Sequence, residues 1–195
     1  QYLGGLYRED RIQVNRIYLH LVLHGIFRHM VRRRGREERL YHLACDIVTE
    51  SMIDGMQHRC VLKSRSWLRR ETYRKLHKEM KVLTAEKVYG VLIRWKLSED
   101  EMVRMEAEFR MDDHSYWPSD DDQKKQEQIE QRWKDISEQM ETDMETFSQE
   151  ASAESGNLVE QVRVENRERM DYRQFLRKFS VLKEEMAVDP DSFDY

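Results

Sequence analysis

The sequence predicts a mainly α-helical fold. Apolar residues recur at three- and four-residue spacing along most of the chain. Glycine and proline are scarce, at 7 and 2 in 195 residues, and charged residues reach 37% against 39% apolar. The spacing is that of amphipathic helices, the lack of breakers leaves few turns, and the polar balance suits helices that bury narrow stripes.

A first helix is expected over 10–30, where Ile12, Ile17, Leu19, Val22, Leu23, Ile26 and Phe27 share a face and Asp10 or Asn15 can cap the start. The basic run Arg32–Arg36 follows, with Gly35 able to take the left-handed conformation that ends a helix. A second helix over 37–57 has Leu40, Leu43, Ala44, Ile47, Val48, Met52 and Ile53 as its stripe and Glu37 and Glu38 in its first turn. The short connection makes these two helices antiparallel neighbours. A basic third helix is expected near 66–80, a fourth after Thr84, and a fifth from the capping-box pattern Ser98 to Glu101. The stretch Asp112–Pro118 breaks the pattern. A long polar helix over 123–152 then places Ile129, Trp133, Ile136, Met140, Met144 and Phe147 on a narrow packing seam. Helix returns over 158–186 with Tyr172, Phe175, Leu176, Phe179, Val181 and Leu182, and 188–195 is a non-helical tail.

Charge is divided along the chain. Residues 1–95 hold 20 Lys and Arg against 10 Asp and Glu, and residues 96–195 hold 14 against 28. Opposite halves can neutralise one another through space, or the basic half can face an acidic partner. Nucleic acid is not expected as that partner, because no aromatic platform accompanies the basic patches. No stretch is apolar for the ~20 residues that a membrane crossing needs. Cys45 and Cys60 form neither a disulfide framework nor a CxxC pair, which fits a reducing cytoplasm.

One constellation can carry chemistry. His20 and His24 are four residues apart and lie on one helix face, where two imidazoles can hold one metal ion. Asp46, Glu50 and Asp54 form a row of acids at the same spacing on the next helix. Antiparallel packing would bring imidazoles and a carboxylate together, the donor set of a catalytic zinc site. The zinc-peptidase motif H-E-x-x-H places its general base beside the first His; Leu21 stands there and cannot move a proton. Glu50 is the substitute base if it reaches the water, and otherwise the metal is structural. His29 lies off the His20–His24 face unless the helix unwinds, so it is either a capping residue or a ligand. His114 is either a ligand delivered from a distance or a turn residue that holds Trp117. His42, His58 and His77 have no evident partner set.

The order of motifs is informative. His20-x3-His24-x4-His29 is followed by Arg33-Arg34-Gly35-Arg36, Ala44-Cys45-Asp46, Leu83-Thr84-Ala85-Glu86-Lys87-Val88-Tyr89 and Asp112-Asp113-His114. This order resembles the metallopeptidase-like N-terminal domain of bacterial proteins that continue into a von Willebrand factor A-like domain. The resemblance covers residues 10–118 in motifs. It implies a zincin-like helical core over 1–118, a helical extension or connector over 119–187, and the start of an A-like domain at 188–195. It implies zinc as the metal, with His20 and His24 as ligands, Asp46 as the acid of the second helix and His29 as the trailing His. The family's Glu falls on Leu21. Partnership with a MoxR-type AAA+ ATPase is also implied. The expected function is therefore a zinc-binding, catalytically degenerate metallopeptidase-like domain; the alternative is a metal-free helical interaction module.

Overall fold

Asp10 opens the first helix by accepting a hydrogen bond from the Gln13 amide at 2.9 Å. In the computed structural model, which describes residues 7–56, 58–119, 122–148 and 156–167, all regular structure among the described residues is helical. The α-helices are α1 (Arg11–Ile26), α2 (Glu38–Gly55), α3 (Trp67–Glu79), α4 (Ala85–Trp95), α5 (Glu99–Phe109), α6 (Gln123–Ser148) and α7 (Gly156–Arg167). Single 3-10 turns lie at His29–Val31 and His114–Tyr116.

Side chains mark the helix starts. Glu37 caps α2 through the amides of Arg39 and Leu40, Ser66 caps α3, and Thr84 caps α4. Ser98 and Glu101 form the reciprocal capping box of α5. The first helix stops at Ile26, short of the residue 30 that periodicity alone predicts. Arg28 takes a left-handed conformation, φ 57°, and turns the chain back so that the following 3-10 turn lies against α1. Gly35, at φ 74°, makes the second reversal into α2.

The α1–α2 pair is antiparallel, and its polar contacts prove the direction. Arg16 meets Asp54, His20 meets Glu50 and His24 meets Asp46, so each four-residue step forward on α1 is a four-residue step back on α2. α2 is the central element: it packs on α1, α4, α5 and α7 and is buried nearly all round. Leu23, Phe27, Leu43, Ile47, Ile53, Leu76, Val88, Leu92 and Phe109 form the core between these helices.

The long polar helix α6 lies along α1 and the 3-10 turn after it, and α7 packs on α6 and α2. Val162 of α7 is fully buried in the same core, and Trp133 and Met140 of α6 pack against it. Among the seam side chains that are described, one departs from the prediction. Ile136 is 43% exposed, and Ser137 is buried in its place, donating to Asn166 Oδ1 at 3.0 Å. A polar residue takes the inner position because α7 presents a side-chain amide there.

The two charge halves pair across the fold, partly buried and partly at its surface. Arg32 pairs with Glu165 at 2.6 Å, Lys81 with Glu160 at 3.0 Å, Arg39 with Glu99 and Glu106, and Arg69 with Glu108. Among the described residues no helix is long and apolar enough to cross a membrane. The aromatic cluster Tyr172–Leu182 and the tail 188–195 lie outside the described residues.

Gly25 is the close-approach point between α1 and α6. A Cβ there would lie 2.4 Å from the Trp133 ring. Gly25→Ala is expected to destabilise the protein by about 1–3 kcal/mol in thermal or urea unfolding. In a Trp133→Leu background the same change is expected to cost less, because the ring it strikes is gone.

Candidate metal centre

Three separate elements deliver five donor groups to one point. α1 supplies His20 and His24, α2 supplies Asp46, and the segment after α5 supplies Asp112 and, from its 3-10 turn, His114. One ligand atom from each lies within 4.8 Å of all the others. The Nε2 atoms of His20 and His24 are 2.8 Å apart, and Asp46 Oδ1 is 3.3 Å from each. His114 Nε2 is 3.2 Å from Asp46 Oδ1 and 2.8 Å from Asp112 Oδ1. Asp112 Oδ1 is 3.4 Å from His20 Nε2. Two donors ~2.1 Å from one tetrahedral ion are ~3.4 Å apart, so most of these separations are those of atoms sharing a cation.

The rings are held from behind. His20 Nδ1 faces Glu50 Oε1 at 2.9 Å; a carboxylate only accepts, so this nitrogen keeps a proton, and Nε2 is the nitrogen that an ion would take in exchange for its proton. Glu50 Oε2 in turn accepts from Arg16 and Arg69, each at 2.5 Å. A histidine whose far nitrogen donates to a carboxylate is the usual support of a metal-bound imidazole. His24 Nδ1 faces His29 Nδ1 at 2.9 Å, a contact that exists because the chain reverses at Arg28. Trp117 stacks on the His114 ring, with centroids 4.0 Å apart.

The acidic row of α2 therefore divides its work. Asp46 joins the donors. Glu50 orients His20. Asp54 accepts from Arg16 at 2.7 Å and from the Tyr73 hydroxyl at 2.9 Å. Every charge on the buried α1–α2 face has a partner, as burial demands.

The electrostatics call for positive charge. Burial disfavours protonation of His20, yet Asp112, Asp46 and Glu50 outweigh it and push its pKa up to about 11. Burial is likewise overcome at His114 by Asp112 and Asp46, and its pKa rises to about 9. Asp46 is held well below the carboxylate range despite burial, through His114, His20 and His24. The pKa values of His24 and His29 are pushed down, first by burial and then by a neighbouring imidazole. Two acids that hold protons on adjacent imidazoles so firmly would hold a divalent cation instead, and two carboxylates balance its charge.

The donor atoms fit such an ion. His114 Nε2 and Asp112 Oδ1 are buried and lack a hydrogen-bond partner, although they lie 2.8 Å apart, because they are not aligned for one. Buried polar atoms without partners are rare unless something else binds them. The donor set is nitrogen and oxygen only; neither Cys45 nor Cys60 belongs to it.

The centre is nearly closed. His20, His24, Asp46 and His114 are at most 6% exposed. A groove of about 380 Å³ reaches Asp46 and His114 from outside and is walled by His42, Glu38, Arg39, Glu106 and Arg110. Leu21, at the position of the missing Glu, is 49% exposed. Its helical offset from His20 turns it to solvent, away from the buried donors.

Residues 6–181 match the family model described as "Putative metallopeptidase domain". The chain belongs to this family. The match to the metallopeptidase-domain family spans all five donors and also α6 and α7. No curated protein and no solved structure matches the chain.

Within this metallopeptidase-domain chain, the expected ligands His20, His24, Asp46 and His114 come together. His29 stands behind His24, outside the five-donor group. Glu50, expected as a substitute base, has its oxygens on His20, Arg16 and Arg69 and is wholly buried. Sequence reasoning missed Asp112, although its place two residues before His114 was a usable signal. It also missed Arg16, which continues the 16–20–24 spacing, and Arg69, which carries no local signal.

Glu50→Gln tests the support of His20. It keeps the shape but removes the charge between two buried guanidinium groups. A loss of about 3–5 kcal/mol in unfolding free energy is expected. Metal affinity is expected to fall roughly 10–100-fold. Calorimetric unfolding and competition with a metal chelator give the two values.

Proposed function

We propose that the chain is a zinc-binding, metallopeptidase-like domain whose metal is structural rather than hydrolytic, and that it works in the cytoplasm beside a MoxR-type AAA+ ATPase. The metal reading is carried by one observation: three imidazole nitrogens and two carboxylate oxygens meet within 4.8 Å in a buried pocket. Zinc suits this donor set, since it binds imidazole and carboxylate readily and imposes no geometry of its own. When bound, it would offer Lewis acidity to a carbonyl or water that reached it.

The chain's own residues supply little else that hydrolysis needs. Leu21 has no proton to transfer and is turned to solvent. Glu50 is a positioning residue, because both its oxygens are committed to His20 and to two arginines. The donors are packed against one another under Trp117, which leaves the groove beside Asp46 and His114 as the outer approach. These features support a closed site of the structural kind. The ATPase partnership rests on the order of motifs from His20 to His114 and is a separate claim.

Protein purified without a histidine tag is expected to contain about one zinc ion per chain by elemental analysis, and chelation is expected to lower its unfolding temperature. His20→Ala and His24→Ala are each expected to lose most of the metal. Absence of stoichiometric metal from every preparation would overturn the metal reading. Leu21→Glu is expected to create no peptidase activity. Turnover that appears in this variant and vanishes with His20→Ala would overturn the structural role of the metal.

A further inference from the structure

Arg69 links one half of the centre to the end of α5, from which the other half leaves, without touching a donor atom. One half is the α1–α2 pair, with His20, His24 and Asp46. The other is the segment after α5, with Asp112 and His114. Arg69 Nη1 donates to Glu50 Oε2 at 2.5 Å and lies 3.3 Å from Asp54 Oδ2. Its Nε donates to Glu108 Oε1 at 2.7 Å, and its Nη2 donates to the Glu108 carbonyl at 2.6 Å. The guanidinium lies over the Phe109 ring, 5.3 Å from its centroid.

The Glu108 carbonyl belongs to the last turn of α5, where backbone oxygens lack intrahelical partners. Satisfying it from outside fixes where α5 stops and the direction in which the chain leaves. Asp112 follows four residues later. Asp113 then starts the 3-10 turn by accepting from the Ser115 amide at 3.0 Å, and that turn carries His114. Within the segment Arg110 Nε donates to the Asp112 carbonyl; from outside it Gln13 Nε2 donates to Met111 Sδ at 3.9 Å, and Asp112 and His114 themselves face His20 and Asp46. A planar fork with several donors in fixed directions suits such bridging; an ammonium would not reproduce it.

We infer that Arg69 is the positioning residue that holds the Asp112–His114 segment against the α1–α2 half, and so decides whether those two donors join the other three. The inference rests on the metal reading above. It also makes a metal-independent statement about the segment.

The test uses the full chain with cobalt(II) as probe and hydrogen–deuterium exchange over residues 110–117. Arg69→Met is expected to weaken cobalt binding roughly tenfold or more. It should also alter the visible absorption of the bound cobalt and speed exchange over 110–117 with or without metal. Arg69→Lys is expected to rescue little. In an Asp112→Ala, His114→Ala background, Arg69→Met is expected to cost less than about twofold further, because linked residues are not additive. An equal loss in both backgrounds would show that Arg69 acts through Glu50 alone, and would overturn the inference. Glu108→Gln keeps the Glu50 contact and covers the case in which Arg69→Met does not fold. It should reproduce the faster exchange in milder form, and unchanged exchange would again overturn the inference. Failure of the unaltered protein to bind cobalt or zinc, with exchange still faster in Arg69→Met, would remove the metal reading and leave the strut. Normal cobalt binding by Arg69→Met with unchanged exchange would do the reverse.

Discussion

Charged groups buried on two facing helices destabilise a fold by several kcal/mol each unless every one of them finds a partner. The α1–α2 interface meets that condition with a ladder. Arg16 lies on Asp54 and Glu50, His20 on Glu50 and Asp46, and His24 on Asp46. The rungs recur at the helical repeat on both helices, so sliding one helix by a residue would strand all of them together. This constraint sets the register of the central helix, and the register sets the rest. α4, α5 and α7 pack on α2, and two of the five donors can meet the other three only where α5 ends.

The ladder also explains why the centre is nearly closed. Glu50 is spent on holding His20 and on neutralising two arginines, which leaves it no free oxygen to face a substrate. His29 is spent on His24. Trp117 covers His114. The site nevertheless demands positive charge, as the raised pKa values of His20 and His114 reflect.

Much of the helical frame was legible because its causes are local. Asp10, Ser66, Thr84 and Ser98 each cap the amide three residues on, and the apolar stripe of α2 repeats within its own turns. The pairing of His20 with His24 was legible for the same reason, since a helix puts residues four apart on one face. The end of α1 was not. Gly25 is the one weak helix former before Arg28 and does not by itself place the stop; the left-handed residue packs on α7, where Arg28 reaches the Glu165 carbonyl and Asn166. Ile136 failed as a seam residue because an amide on α7, far away in sequence, made the neighbouring Ser137 the better inner residue.

By itself the sequence determined that the chain would be helical, where most of its helices begin, and that two imidazoles and three acids would lie on the faces of consecutive helices. Those features follow from short-range backbone geometry and side-chain spacing. Only the tertiary structure decided that Asp46 would be a donor while Glu50 and Asp54 would be supports, that His29 would stand behind His24, and that Asp112 and His114 would close the group. The three acids are chemically alike and equally spaced. What separates them is which guanidinium, hydroxyl or imidazole faces each one, and those partners come from positions 15 to 68 residues away along the chain.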